Sequence, residues 1–249
     1  MSSLNQLILE FLGELGDLGG SIVVLAFPSC PLCPSCLSFS WRLGALAAKL
    51  NEIDQVLDFW FGACGPDGAL DSEKKKMWFG DGRKYDAVIR KRFGKLHRRA
   101  GRAELDAQWV AMPRGRIALI IVLDQFSRHI HRGTATAFAQ DPAAQRLAIK
   151  GVEQGADRAL IPAQRAFFYL PFEHAEDLKL QRLGTRSFER LASEVEPAWR
   201  KEYIGFSDYS GHHRDIIERF GRFPHRNVVL GRVSTPEEME FLKQPGSSF

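Results

Sequence analysis

The chain has 249 residues, of which 45% are apolar and 26% charged. That composition excludes a disordered or low-complexity polymer and leaves room for one sizeable core or two small ones. The net charge of +4 comes from arginines scattered among acids, too mild and too dispersed to argue for a nucleic-acid partner.

Residues 1–50 differ from the rest. Only Glu10, Glu14, Asp17, Arg42 and Lys49 are charged there. The apolar stretch Ser21 to Phe27 falls short of the roughly 20 residues that a membrane span needs. A signal peptide opens with positive charge, and this chain opens with acids. The segment is expected to be a poorly packed extension, as an upstream start codon would produce, or else an accessory helix over Leu4 to Leu15. Cys30, Cys33 and Cys36 have metal-like spacing, yet no histidine accompanies them and the one further cysteine is Cys64. No metal site is expected. The same cysteine usage fits a reducing compartment, so the expected location is cytoplasmic and away from membranes.

From Asn51 onward the punctuation is helical. Ile53, Val56, Leu57, Trp60 and Phe61 recur at spacings of three and four until Gly62 stops them. Ser72 to Phe79 reads as a short helix ending at Gly80. Arg83 to Arg99 is amphipathic, with Tyr85, Val88, Ile89, Phe93 and Leu96 inward. Pro113 opens a strong helix that runs to about His131 and ends at Gly133. Asp141 reads as an N-cap before Pro142, and that helix closes between Val152 and Gly155. Pro162 and Pro171 start two consecutive helices, or one kinked helix. Leu183 to Glu194 follows, then Tyr209 to Phe220 before Gly221. Thr235 to Glu238 is a capping box that starts a last short helix. No segment alternates as a strand would. The expected class is all-α, a multi-helix bundle or superhelix of helix pairs without significant sheet, forming one domain over 51–243 with a frayed tail at 244–249. Trp60-Phe61-Gly62 and Trp78-Phe79-Gly80 echo each other, and both read as core aromatics before a glycine cap.

Three polar blocks interrupt this apolar frame. In the helix opened by Pro113, Ile117, Asp124, Arg128 and His131 fall within about 60° of one another at the helical period, with Gln125 beside them. Part of a core-facing stripe has therefore become polar, and burial requires those groups to be paired with each other or with a ligand. Asp124 and Arg128, four apart, can pair directly. The second block holds Arg165, Glu173, His174 and Asp177; carboxylates beside a histidine are the material of general acid–base chemistry. Acids in a first helical turn also complement the helix dipole, so a structural role stays open. The third block runs from His212 to Asn227, with His213, Arg222, His225, Arg226 and Asn227 around Gly221 and Pro224. Arginine forks bind carboxylate or phosphate, and histidine moves protons near neutral pH. Capping of helix-end carbonyls, or pairing with Glu173, Glu176 or Asp177, is the structural alternative. A Gly-x-Ser-x-Gly elbow, a phosphate loop and a Rossmann fingerprint are all missing.

Leu123-Asp124-Gln125-Phe126-Ser127-Arg128, Tyr169 to Asp177, and Arg219 to Asn227, with the opening Val56 to Gly62, resemble the bacterial domain of unknown function 924 family. The resemblance runs from about Ile53 to Leu242 and leaves residues 1–50 outside. It implies an all-α fold of the tetratricopeptide-like superfamily and carries no activity or cofactor with it. From the residues, the leading expectation is a buried pocket that binds a small anionic ligand. Arg128, Arg222 and Arg226 would hold the anion, His174 or His225 would transfer a proton, and Asp124, Glu173 or Asp177 would orient the histidine. Gln125, His131, Arg165, His213 and Asn227 complete the expected lining. The rival expectation is a non-catalytic helical scaffold that binds a peptide or protein partner, in which the same blocks are structural ion pairs.

Overall fold

A computed structural model describes residues 51–105 and 107–248. The expected N-terminal extension, the helix over Leu4 to Leu15 and the trio Cys30, Cys33 and Cys36 lie outside the described residues. Within them there is no strand, and the all-α expectation holds. Among the described residues no helix is long and apolar enough to cross a membrane.

The first described helix, α1, covers residues 51–61. Next comes α2 (Ser72–Phe79), whose Asp71 N-cap accepts from the backbone of Glu73 and Lys74. A 3-10 turn over Gly82–Tyr85 leads into α3 (Asp86–Gly101), and the short α4 spans Ala107–Ala111. Where the sequence predicts an unbroken helix from Pro113 to about His131, the backbone does something different. It is α-helical over Pro113–Ile120 (α5), winds a π turn over Ile121–Gln125, and resumes as α6 (Phe126–Ile130). Every residue from Gly115 to Asp124 in this rod is buried, so it forms the centre of the molecule rather than a one-sided surface helix.

Helix α7 (Asp141–Glu153) starts at Asp141 itself; its N-cap is Gln140, not the Asp expected from the sequence. Pro162 and Pro171 belong to one helix, α8 (Pro162–Glu173), with Pro171 inside the last turn. His174 caps α8, and four residues later α9 (Leu178–Glu194) begins behind the N-cap Asp177. Helix α10 (Arg200–Phe220) is nine residues longer at its start than the sequence reading. Gly221 ends it at φ +69, a left-handed conformation that glycine adopts without steric cost. The Thr235–Glu238 capping box forms and opens α11 (Pro236–Phe241).

One continuous core joins α1 to α10. Trp60 meets Phe126 and Phe167 edge-on at 5.7 and 5.6 Å, and Phe93 stacks on Phe126 at 4.7 Å. Full burial of each such ring contributes roughly 2–3 kcal/mol. Helices α7 and α8 approach so closely at Gly151 that a Cβ there would stand 2.3 Å from Phe168 Cζ. Helices α9 and α10 form the broadest helix pair, and α8 packs against α9.

Candidate functional site

Asp124 sits in the π turn, 1% exposed. Its carboxylate accepts from Gln125 Nε2 at 2.6 Å, meets His174 Nδ1 at 2.8 Å, and lies 3.1 Å from Arg128 Nη1. Burial alone would raise this carboxyl, but Arg128 and His174 outweigh it and hold Asp124 well below the usual carboxylate range. Asp124 is therefore an anion, and Nδ1 of His174 must carry the proton that it donates to it. Burial, followed by the nearby Arg128, pulls His174 below its ordinary value, so the ring is neutral at pH 7. The linker that carries His174 is fixed from behind: buried Gln181 donates through Nε2 to the carbonyls of Glu173 and Ala175 at 2.6 and 2.7 Å.

Glu173, the last residue of α8, is 2% exposed. Burial first, and the Asp124 charge second, push its carboxyl up to about 8. The two carboxyls differ because, among the described residues, Asp124 has a cation and hydrogen-bond donors in contact, whereas the basic atom paired with Glu173, His213 Nδ1, is 3.7 Å away. His213 itself donates from Nδ1 to the Tyr209 carbonyl at 3.0 Å, and burial holds its ring neutral down to about 3.

Arg128 forks onto Asp141, Nη1 to Oδ1 at 2.9 Å and Nη2 to Oδ2 at 3.1 Å. Arg226, from the 3-10 turn Pro224–Arg226, donates to the His174 carbonyl at 3.1 Å and lies 3.6 Å from the same Asp141. Its guanidinium carbon also lies over the rings of Phe138 and Phe223, 4.7 and 4.4 Å from their centroids. Its Nε has no hydrogen-bond partner among the described residues. Burial and the neighbouring Arg128 lower its guanidinium to about 10, still charged at neutral pH.

These groups border a cavity of about 1040 Å³ whose lining includes Gln125, Arg128, Glu173, His174, His213, His225 and Arg226. Asp124 and Asp141 are not in the lining; they stand behind the imidazole and the guanidiniums. Four of the polar groups offered to a ligand, Gln125, Arg128, His174 and Arg226, are thus each in contact with an acid one layer back.

Not every residue singled out from sequence reaches the cavity. His131 turns its ring to His97, 5.3 Å away. Arg165 pairs with Glu194 and Tyr169. Asp177 is an N-cap, accepting from Lys179 and Leu180. Arg222 forks onto buried Glu238 at 2.6 and 2.8 Å, and Asn227 donates to Glu238 and Ser234. Sequence reasoning missed Asp141, which looked like a cap, and Phe138. It also missed a second imidazole–carboxylate pair on the same cavity, His129 Nδ1 to Asp86 Oδ1 at 2.8 Å, with Arg132 forked onto that Asp86. The i, i+3 spacing of His129 and Arg132 on a helix end was the only signal for the latter. Among the described residues, no three His, Cys, Asp or Glu side chains are grouped to hold a metal ion.

His97 and His213 make the fold acid-sensitive. Burial holds His97 neutral down to about 4, with its Nε2 2.7 Å from Ser127 Oγ. Unfolding releases both rings to protonate near 6.5, so their contribution is complete above that pH and is lost as pH falls towards 4 and 3. The expected loss is roughly 1.4 kcal/mol per pH unit for each ring across its window. In an NMR titration their ring resonances should stay fixed from pH 7.5 to 5; movement with a midpoint near 6.5 would place them in water.

Over the described residues, fold and site together define an all-helical protein with a half-open cavity lined in part by charged groups. The chain belongs to the family described as bacterial protein of unknown function (DUF924), whose model matches residues 56–246. A solved structure of a protein of unknown function from Agrobacterium tumefaciens is similar, with 37% identity and a TM-score of 0.65, over 78% of this chain and 98% of that one. A search of curated proteins finds no match.

Proposed function

We propose that the cavity takes a small anionic ligand and moves protons on it, with His174 as base and Glu173 as acid. The observation that carries this reading is the ionised Asp124 hydrogen-bonded to a neutral His174, next in sequence to a carboxyl that keeps its proton to about pH 8. Two carboxyls driven apart in this way provide both partners of general acid–base catalysis at neutral pH.

Asp124 fixes the tautomer, so Nε2 of His174 is the basic nitrogen. It takes a proton from an acidic C–H or O–H of the ligand, and Asp124 stabilises the imidazolium that forms. Glu173 donates its proton to the ligand atom that gains electron density. Arg226, whose one acid within ion-pair distance among the described residues is already forked by Arg128, is the donor for the anionic group, and Arg128 stiffens the wall beside it. Arg222, Asn227, Asp177, Arg165 and His131 support the surrounding structure in this reading.

A thermal-shift screen of carboxylates and phosphate esters tests it. At least one compound is expected to raise the melting temperature, and Arg226→Ala and Arg226→Gln should both remove the shift. With a turned-over compound in hand, His174→Gln should lower kcat by about 10²–10⁴-fold. A panel that leaves the melting temperature unchanged, or a shift that survives loss of Arg226, would refute the proposal.

A further inference from the structure

The cavity is larger than proton transfer on a small anion requires. At about 1040 Å³ it reaches the top of the range for sites that enclose a whole drug-sized ligand. Its lining changes character along two helices in the same sense. On α8, Phe167, Leu170 and the pair Glu173 and His174 follow one another at spacings of three and four, so they share one face. On α10, Phe206, Tyr209 and His213 do the same. Over these stretches of six or seven residues, roughly 9–10 Å, both faces run from apolar to polar, although Lys201 and Glu202, one turn before Phe206, also line the cavity.

The two ends are tied across the cavity in matching fashion. At the polar end, Glu173 and His213 approach to 3.7 Å. At the apolar end, α2 bridges the helices: Trp78 lies 4.6 Å from Phe167, and Phe79 lies 5.5 Å from Phe206. Phe79 also lines the cavity while 62% exposed, so part of its ring stands open to solvent.

We propose that the ligand is an amphiphile, a carboxylate or phosphate ester with an aromatic or acyl arm about 10 Å long. The anionic head lies by Arg226 and His174, and the arm runs between α8 and α10 to end against Trp78 and Phe79. This rests on the acid–base reading of the polar end and adds the class of molecule on which that end acts.

Titration calorimetry on the full chain, with linear carboxylates and alkyl phosphates of four to ten carbons and octanol as the uncharged control, separates the two claims. Affinity is expected to strengthen about fourfold per methylene until the arm fills the cavity, then level off. The series that binds more tightly identifies the head group. Phe79→Ala, with the melting temperature of the unliganded variant as the folding control, should weaken the eight-carbon anion about tenfold or more and leave the four-carbon one unchanged. Anions whose affinity ignores arm length would overturn the amphiphile while leaving the anion site standing. Octanol binding as well as octanoate would overturn the anionic head, and no binding by any member would overturn both.

Discussion

Asp124→Ala is expected to be the most damaging single substitution in the layer behind the cavity lining, lowering stability by about 3–5 kcal/mol in urea denaturation, a large part of a typical domain's total. The carboxylate is 1% exposed and serves three donors, His174, Gln125 and Arg128. Its removal leaves the Nδ1–H of His174 without an acceptor and Arg128 with Asp141 as its remaining forked partner. Asp124→Asn isolates the charge from the shape. The amide oxygen still accepts from His174, so the stability loss should be smaller, but the imidazolium loses its counter-charge and turnover should fall as in the His174 variant. Glu173 reports on the same change, because the Asp124 charge is the second cause of its raised pKa after burial. In Asp124→Asn its carboxyl should titrate below 8, visible in the side-chain carbon resonance of labelled Glu173. An Asp124→Ala protein within about 1 kcal/mol of wild type would show that the cluster contributes little to the fold.

The parts of this site that can be read from the sequence are those set by local geometry. Asp124 and Arg128 are four apart, and their pairing follows from the helical period. His131 was placed on the same stripe by the same arithmetic and does not belong there. The Phe126 amide reaches back to the Ile121 carbonyl, a π-type bond across five residues. That turn shifts Arg128 and His131 together relative to Ile117; what separates the two is that α6 ends at Ile130, leaving His131 as its C-cap at φ −116 and ψ 24, outside helical geometry. Nothing in Ile121-Val122-Leu123-Asp124-Gln125 announces that turn.

Long-range pairing was the second gap. His174 and Asp124 are 50 residues apart, and only the shared polarity of their blocks hinted that they would meet. Arg222 and Asn227 looked as suited to a ligand as Arg226 until Glu238, from a helix whose capping box was correctly read, placed its carboxylate against both. The all-α class and most helix positions were legible because apolar spacing and Pro and Gly punctuation are local properties; the short α4 and the break in the central rod were not. The aromatic wall was not, since exposed Phe79 and buried Phe61 sit in nearly identical triplets, each before a glycine.

Glu173→Gln should stabilise the protein, and by an amount that grows with pH. A carboxyl held at about 8 in the fold and near 4.5 when unfolded must lose its proton more readily on unfolding. Its effect on stability is nil below pH 4.5 and increasingly unfavourable as pH rises to about 8, at roughly 1.4 kcal/mol per pH unit. Glutamine has the same shape and no proton to lose, so the variant escapes this penalty. Urea midpoints for wild type and variant should therefore coincide near pH 4.5 and diverge steadily up to pH 8, the variant being the more stable by a few kcal/mol. The same substitution removes the acid, and kcat on any substrate that needs protonation should fall by about 10²–10⁴-fold. Stability and activity moving in opposite directions at one buried position is what a site built for proton transfer predicts, because its neutral carboxyl is kept at the expense of the fold. Parallel pH profiles for the two proteins would mean that Glu173 is ionised in the native state, and the acid half of the proposal would fall with it.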